Sequence, residues 1–229
     1  MAAGLGLAGA AIGYAAVCPV SQWWGRGFYR GPRNQRLLAL TFDDGPSNQT
    51  PDFLDLLARY GVRATFFVCG QNVARRPGIA RETLGAGHEI GNHTDTHPLL
   101  LRLPPWRVRE EVTRAQRIIE DRIGVRPTMF RAPFGVHAPG LRPALEAEGL
   151  AAVRWTVIGH DWRLPAWRIA ERVLRQAGPG GIVCLHDGDQ VRPIADRSRT
   201  LAAVEAILGP LLDEGYRFVT ASEMCSAQQ

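Results

Sequence analysis

From Leu37 onward, short apolar or β-branched runs alternate with amphipathic stretches of ten or more residues, and no long polar linker breaks the series. That rhythm is the mark of repeated βα units around a parallel sheet. Seven runs read as strands: LLALTF (37 to 42), ATFFVC (64 to 69), HEIGNH (88 to 93), MFRAPF (129 to 134), AAVRWT (151 to 156), GIVCLH ending at His186, and YRFVTA (216 to 221). Helices are expected between them. One starts with Thr50 as N-cap and Pro51 in the first helical position and ends at Gly61; others cover 73–85, 105–123, 140–148, 165–176 and 199–214.

The fold class is therefore α/β, read as a distorted or incomplete parallel (β/α) barrel of about seven strands. An open doubly wound sheet would give much the same string. Both architectures put chemistry at the carboxyl ends of the strands. At 229 residues and 45% hydrophobic, the chain has material for one sizeable domain.

Residues 1–25 carry no charged side chain and are dominated by Ala, Gly and Leu. They read as a membrane anchor, with a signal segment or a soluble extension as alternatives, and Gly9 with Gly13 offers a small-xxx-small face. Residues 26–229 form the expected folded domain. Arg26, Arg30, Arg33 and Arg36 would keep that domain in the cytoplasm by the positive-inside rule. The net charge of +5 comes with 27 basic residues, all arginine and scattered, and no recognition motif accompanies them, so nucleic acid is not an expected partner. Cys18, Cys69, Cys184 and Cys225 form no CxxC pair, and Cys69 and Cys184 sit in apolar runs as small hydrophobes.

Five strand ends carry chemistry. The first ends in TFDDGP, placing Asp43 and Asp44 side by side at a strand terminus; the third ends in GNHTDTHP, with His93 and His97 four apart. Two imidazoles and a carboxylate with open positions suit Zn²⁺ or another divalent first-row metal such as Co²⁺. Arg131 to Gly135 reads RAPFG, Trp155 to Trp162 reads WTVIGHDW, and Leu185 to Gly188 reads LHDG. Singly, each has a plainer reading: a surface ion pair for Arg131, a core filler for Trp155, a turn cap for Asp187. Together they converge on one rim.

In order and spacing these blocks resemble the five motifs of the polysaccharide deacetylase family (NodB homology domain, carbohydrate esterase family 4), over roughly Gln35 to Ser222. The resemblance implies Asp44, His93 and His97 as metal ligands, Asp43 as general base held by Arg131, and His186 as general acid supported by Asp161. It also implies the main-chain N–H of Phe134 as an oxyanion donor, with Trp162 and Leu185 at the substrate. Phe134 stands where many members have tyrosine, and His160 appears in a fourth motif that lacks the upstream aspartate common elsewhere. The implied activity is metal-dependent removal of N-acetyl (or O-acetyl) groups from an acetylated polysaccharide of the cell envelope, such as peptidoglycan or a chitin-like polymer. Two alternatives stand beside it: a deacetylase or deformylase of a membrane-linked amino-sugar glycolipid, and an inactive carbohydrate-binding homologue.

Overall fold

The computed structural model describes residues 27 to 227, so the expected anchor at residues 1–25 lies outside the described residues. Among the described residues no helix is long and apolar enough to cross a membrane. The strands are β1 (Gly27–Phe28), β2 (Leu37–Gly45), β3 (Thr65–Val68), β4 (Glu89–Asn92), β5 (Met129–Phe130), β6 (Ala151–Val153), β7 (Val157–Ile158), β8 (Gly181–His186) and β9 (Arg217–Phe218). The helices are α1 (Thr50–Arg59), α2 (Gly70–Arg75), α3 (Pro77–Gly85), α4 (Pro105–Ile123), α5 (Leu141–Glu148), α6 (Ala166–Gln176), α7 (Ser198–Asp213) and α8 (Ala221–Ser226).

The strands pair in parallel in the order β1-β6-β5-β4-β3-β2-β8-β7, and β9 joins the start of β2. Strands β6 and β7 sit near opposite ends of that path, yet the stretch from Val153 to Val157 links them. Four residues of extended chain reach about 14 Å at most. The sheet must therefore curl until its ends nearly meet, which makes it an incomplete barrel rather than an open sheet.

Strand β2 shows how the barrel sorts its side chains. Leu37 and Ala39 face the interior with Phe67, Ile182 and Met224, whereas Leu38, Leu40 and Phe42 face the helices. The alternation follows from the two-residue period of a strand. Phe42 lies 5.1 Å from the ring of Phe53 and 5.0 Å from that of Phe66, within the range for favourable aromatic pairs. Val219, Ala221 and Met224 fill one end of the interior, and the two polar residues that continue the inner face, Thr41 and Asp43, lie at the other.

Helix α4 falls on 105–123 as expected, closed by Gly124 in the left-handed region. Several boundaries differ for local reasons. The helix expected over 73–85 is two helices, because a residue before proline is driven out of the α region and Arg76 adopts φ −132°, ψ 57°. Thr50 is the first helical residue rather than the N-cap; its hydroxyl accepts from the Ser47 N–H and donates to Asp187. The strand expected over 129–134 stops at Phe130, since Pro133 has no N–H for a ladder and opens a 3₁₀ turn. The strand expected over 216–221 is two residues long, because Thr220 and Glu223 form a capping box that starts α8. Strands β1 and β7 carry two residues each, too few for any periodicity to be read.

Candidate active site

Among the described residues, six other than glycine have φ between +52° and +74°: Asp44, Thr94, His97, Phe134, His160 and Gln190. Asp44 lies at the carboxyl end of β2, and the other five lie in the segments that follow β4, β5, β7 and β8 at the same rim of the barrel. A side-chain-bearing residue pays roughly 1 kcal/mol or more for that conformation, so the surrounding contacts must impose it.

The imposing contacts are visible in the first, second and fifth motifs. Asp44 is fixed by Asn72, whose Nδ2 donates to the Asp44 carbonyl at 2.8 Å and to the Gln190 carbonyl at 2.7 Å, while the Gln190 N–H donates to Asp44 Oδ2 at 2.9 Å. The loops of the first and fifth motifs also touch directly. A Cβ on Gly188 would lie 2.1 Å from the Asp44 carbonyl oxygen, and one on Gly45 would lie 2.4 Å from Asp187 Oδ2. At Gly188 the obstacle is backbone, so glycine is required there on steric grounds alone; at Gly45 it is the Asp187 carboxylate, which would have to shift. The histidine loop is held from α4: Glu111 accepts from the N–H groups of Asp95 (3.1 Å) and Thr96 (2.8 Å) and from the Thr96 hydroxyl (2.8 Å).

These constraints turn adjacent aspartates to different tasks. Asp44 Oδ1 faces His97 Nε2 at 3.0 Å and His93 Nε2 at 3.4 Å, and the Nδ1 of His93 lies 2.7 Å from the Arg131 carbonyl. That carbonyl can only accept, so it fixes the proton on Nδ1 and leaves Nε2 as a lone pair aimed at Asp44. Two ring nitrogens and one carboxylate oxygen thus face a common point. Asp44 Oδ1 itself is buried without a hydrogen-bond partner, an arrangement suited to a divalent cation. Burial works against the Asp44 charge, but the contacts with His93 and His97 outweigh it and hold the carboxyl well below its usual range.

Asp43 is turned to Arg131 instead. Arg131, wholly buried inside the barrel, donates to Asp43 Oδ1 and Thr41 Oγ1 at 2.7 Å each, and to the carbonyls of Val153 and Arg154 at 3.3 Å. The last two carbonyls lie at the seam between β6 and β7, so the same guanidinium closes the barrel and orients the carboxylate. The other oxygen, Asp43 Oδ2, is 3.5 Å from the Cys184 thiol. Burial, reinforced by Asp43, keeps that thiol's pKa well above normal, so the sulfur stays protonated and donates. Asp43, Cys184 and His186 form a second group with ligand atoms in reach of one another, but a protonated thiol and an arginine-paired carboxylate are poor metal donors.

Across the cavity, His186 Nδ1 lies 2.8 Å from Asp161 Oδ1. Asp161 Oδ2 accepts from the His186 main-chain N–H at 2.9 Å and from Thr200 Oγ1 at 2.8 Å, so one carboxylate holds both the ring and the main chain of His186. Burial would lower the His186 pKa, yet Asp161, Asp44 and Asp43 raise it to about 9. Asp187 is raised to about 7, by burial and by the nearby Asp44 charge against the lowering effect of Thr50.

The resulting cavity, about 410 Å³, is lined by Asp43, Asp44, His93, His97, Phe134, Trp162 and His186 among those expected from sequence. Arg131 and Asp161 stand behind Asp43 and His186. Leu185 does not line it. Strand alternation turns Leu185 to the helix side, where it is fully buried, and β8 instead presents Cys184 and His186 to the cavity. Trp155, Ile158, Asp189, Gln190 and Arg197 line it too. Of the supports that sequence reading missed, Glu111 left a trace, a carboxylate beside the apolar stripe Val108, Val112 and Ala115. Asn72 and Thr200 left none.

Residues 30–153 match the sequence profile of the polysaccharide deacetylases. A chitooligosaccharide deacetylase from Bradyrhizobium is 40% identical over 190 residues, covering 79% of this chain and 87% of the relative. The peptidoglycan-N-acetylglucosamine deacetylase PgdA of Listeria monocytogenes is 35% identical over 194 residues, 84% of this chain but 39% of its own length, so this chain spans well under half of that relative. In three dimensions it is similar to a CE4 family pseudoenzyme from Bacillus anthracis, with a TM-score of 0.80, 27% identity and coverage of 88% of this chain and 69% of the other. Profile, identity and fold agree with the strand-end residues: the chain belongs to the polysaccharide deacetylase family.

Proposed function

We propose that residues 26–229 hydrolyse the N-acetyl groups of an amino-sugar polymer of the cell envelope, peptidoglycan or a chitin-like chain. The observation that carries this reading is the division of labour between neighbours, with Asp44 turned to two imidazoles and Asp43 to a buried arginine. A similar fold occurs in a pseudoenzyme, so fold alone does not argue for catalysis. The full complement of Asp43, Asp44, His93, His97, Arg131 and His186 does.

In this reading Asp44, His93 and His97 hold a divalent cation, Zn²⁺ or one like it such as Co²⁺. When bound, such a cation makes a water more acidic and polarises the acetyl carbonyl. Asp43 takes the proton of the attacking water; its Oδ1 is held by Arg131, so the free geometry of the carboxylate is spent on Oδ2. The Phe134 N–H donates to the oxygen that becomes negative as the carbon turns tetrahedral, a contact worth roughly 3 kcal/mol where such donors are well placed. Phe134 suits a main-chain role, since its side chain is largely exposed and its ring lies 4.8 Å from His97. His186, protonated and with Nδ1 tied to Asp161, gives the proton that lets the amine leave. Trp162, with its ring 5.4 Å from that of His186, offers an apolar wall beside the acetyl group.

The test is acetate release from peptidoglycan, N-acetylglucosamine oligomers and acetylxylan, after chelation and with single metals restored. Restored release from an amino-sugar substrate is the expected result. No release from any of them with any metal would refute the proposal.

A further inference from the structure

A second cleft, of about 260 Å³, opens beside the catalytic cavity. It is lined by His160 and Arg163 from the loop after β7 and by Arg168, Glu171, Arg172 and Arg175 on α6. The four α6 residues are spaced i, i+3, i+4 and i+7, so they share one helical face. Some arginines elsewhere on the described surface sit against carboxylates, as Arg59 does with Glu205, Arg126 with Glu148 and Arg142 with Glu146. In the cleft, Arg163, Arg168, Arg172 and Arg175 make no ion pair among the described residues, and neither does Glu171. Like charges at i,i+4 cost a few tenths of a kcal/mol on a helix, and four guanidinium groups around one concavity repel one another.

Two ring contacts connect the cleft lining to the catalytic cavity. The His160 ring lies 5.1 Å from that of Trp162, and Trp162 lies 5.4 Å from His186. His160, held at φ 53°, has a buried Nδ1 with no hydrogen-bond partner.

We propose that this cleft binds anionic oxygens, carboxylate or phosphate, carried by the sugar chain next to the unit being deacetylated. Guanidinium forks match both groups in geometry, and the ring contacts from His160 through Trp162 to His186 put the His160 end of the cleft near the catalytic cavity. The inference rests on the reading of the main cavity as the deacetylation site.

The test compares kcat/KM on three oligomers of equal length: neutral N-acetylglucosamine, one bearing peptide carboxylates and one bearing phosphate. Wild type is set against R163Q/R168Q/R175Q. Arg172 stays, because its Nε donates to the Ile158 carbonyl at 2.7 Å and supports β7. The variant should lose roughly tenfold on an anionic oligomer, through KM, and less than twofold on the neutral one, and 0.5 M salt should erase the difference. Which anionic arm responds identifies the group. Equal loss on all three, or none on any, overturns the inference. If wild type releases acetate from no oligomer, the functional reading fails separately. Calorimetric titration of the anionic oligomers then decides the cleft by itself: weaker binding to the variant upholds it, and unchanged binding overturns it.

Discussion

Replacing Asp161 by asparagine isolates the electrostatic part of the proposed acid. Asparagine is nearly isosteric and keeps an oxygen to accept from the His186 main-chain N–H and from Thr200, while its amide N–H group faces His186 Nδ1, so the residue stays in place but the charge and the acceptor at Nδ1 are both lost. Burial lowers the His186 pKa and Asp161 is the largest of the groups that raise it, to about 9 from 6.5. Without Asp161 the ring should return to the ordinary value or below, a loss of roughly 3 kcal/mol of preference for the imidazolium. At pH 8 the protonated fraction would fall from about nine-tenths to about 3%, a loss of about 30-fold; at pH 6 the loss would be under twofold. A cation on Asp44 cancels part of the field at His186, so the wild-type falling limb should lie somewhat below pH 9 and the pH 8 loss is an upper figure. The assay is acetate release from pH 5 to 10 for both proteins, saturated with metal. A falling limb that does not move, or a loss of the same size at every pH, would refute His186 as the acid.

Asp43→Asn should retain stoichiometric metal by elemental analysis while turnover falls by about 10² to 10⁴, and His93→Ala/His97→Ala should lose the metal itself; metal retained by the double variant would sink the ligand assignment. Asp187 has a folded pKa of about 7, above the 3.8 of an ordinary aspartate, so its contribution to stability is complete below about pH 4 and lost as pH rises through 7. Asp187→Asn should therefore gain stability relative to wild type between pH 5 and pH 8 in urea titrations, and a constant difference would show that Asp187 is not protonated in the fold. Gly188→Ala must move backbone at Asp44; it should cost about 1–3 kcal/mol in the same titrations and weaken metal binding, whereas wild-type affinity would show that the two loops yield freely.

Sequence alone determined the element rhythm, the strand ends as the place of chemistry and most of the residues that meet there. Periodicity is a local property, and 105–123 needed only its apolar stripe and Gly124 to be bounded correctly. What sequence could not settle depended on which strands are neighbours. Barrel and open sheet gave the same string. The choice was made by a short link between β6 and β7, strands at opposite ends of the pairing order, with Arg131 satisfying the carbonyls at their seam. Leu185 was misplaced because the motif names a residue without its face, and the two-residue period set by β8 against β2 sends it to the helices and Cys184 to Asp43. The split between Asp43 and Asp44 was available in the sequence only through resemblance. The physical reason for it is tertiary: at φ 74° the chain turns between them, held by Asn72 from helix α2 and Gln190 from the loop after β8, so that adjacent carboxylates face opposite partners.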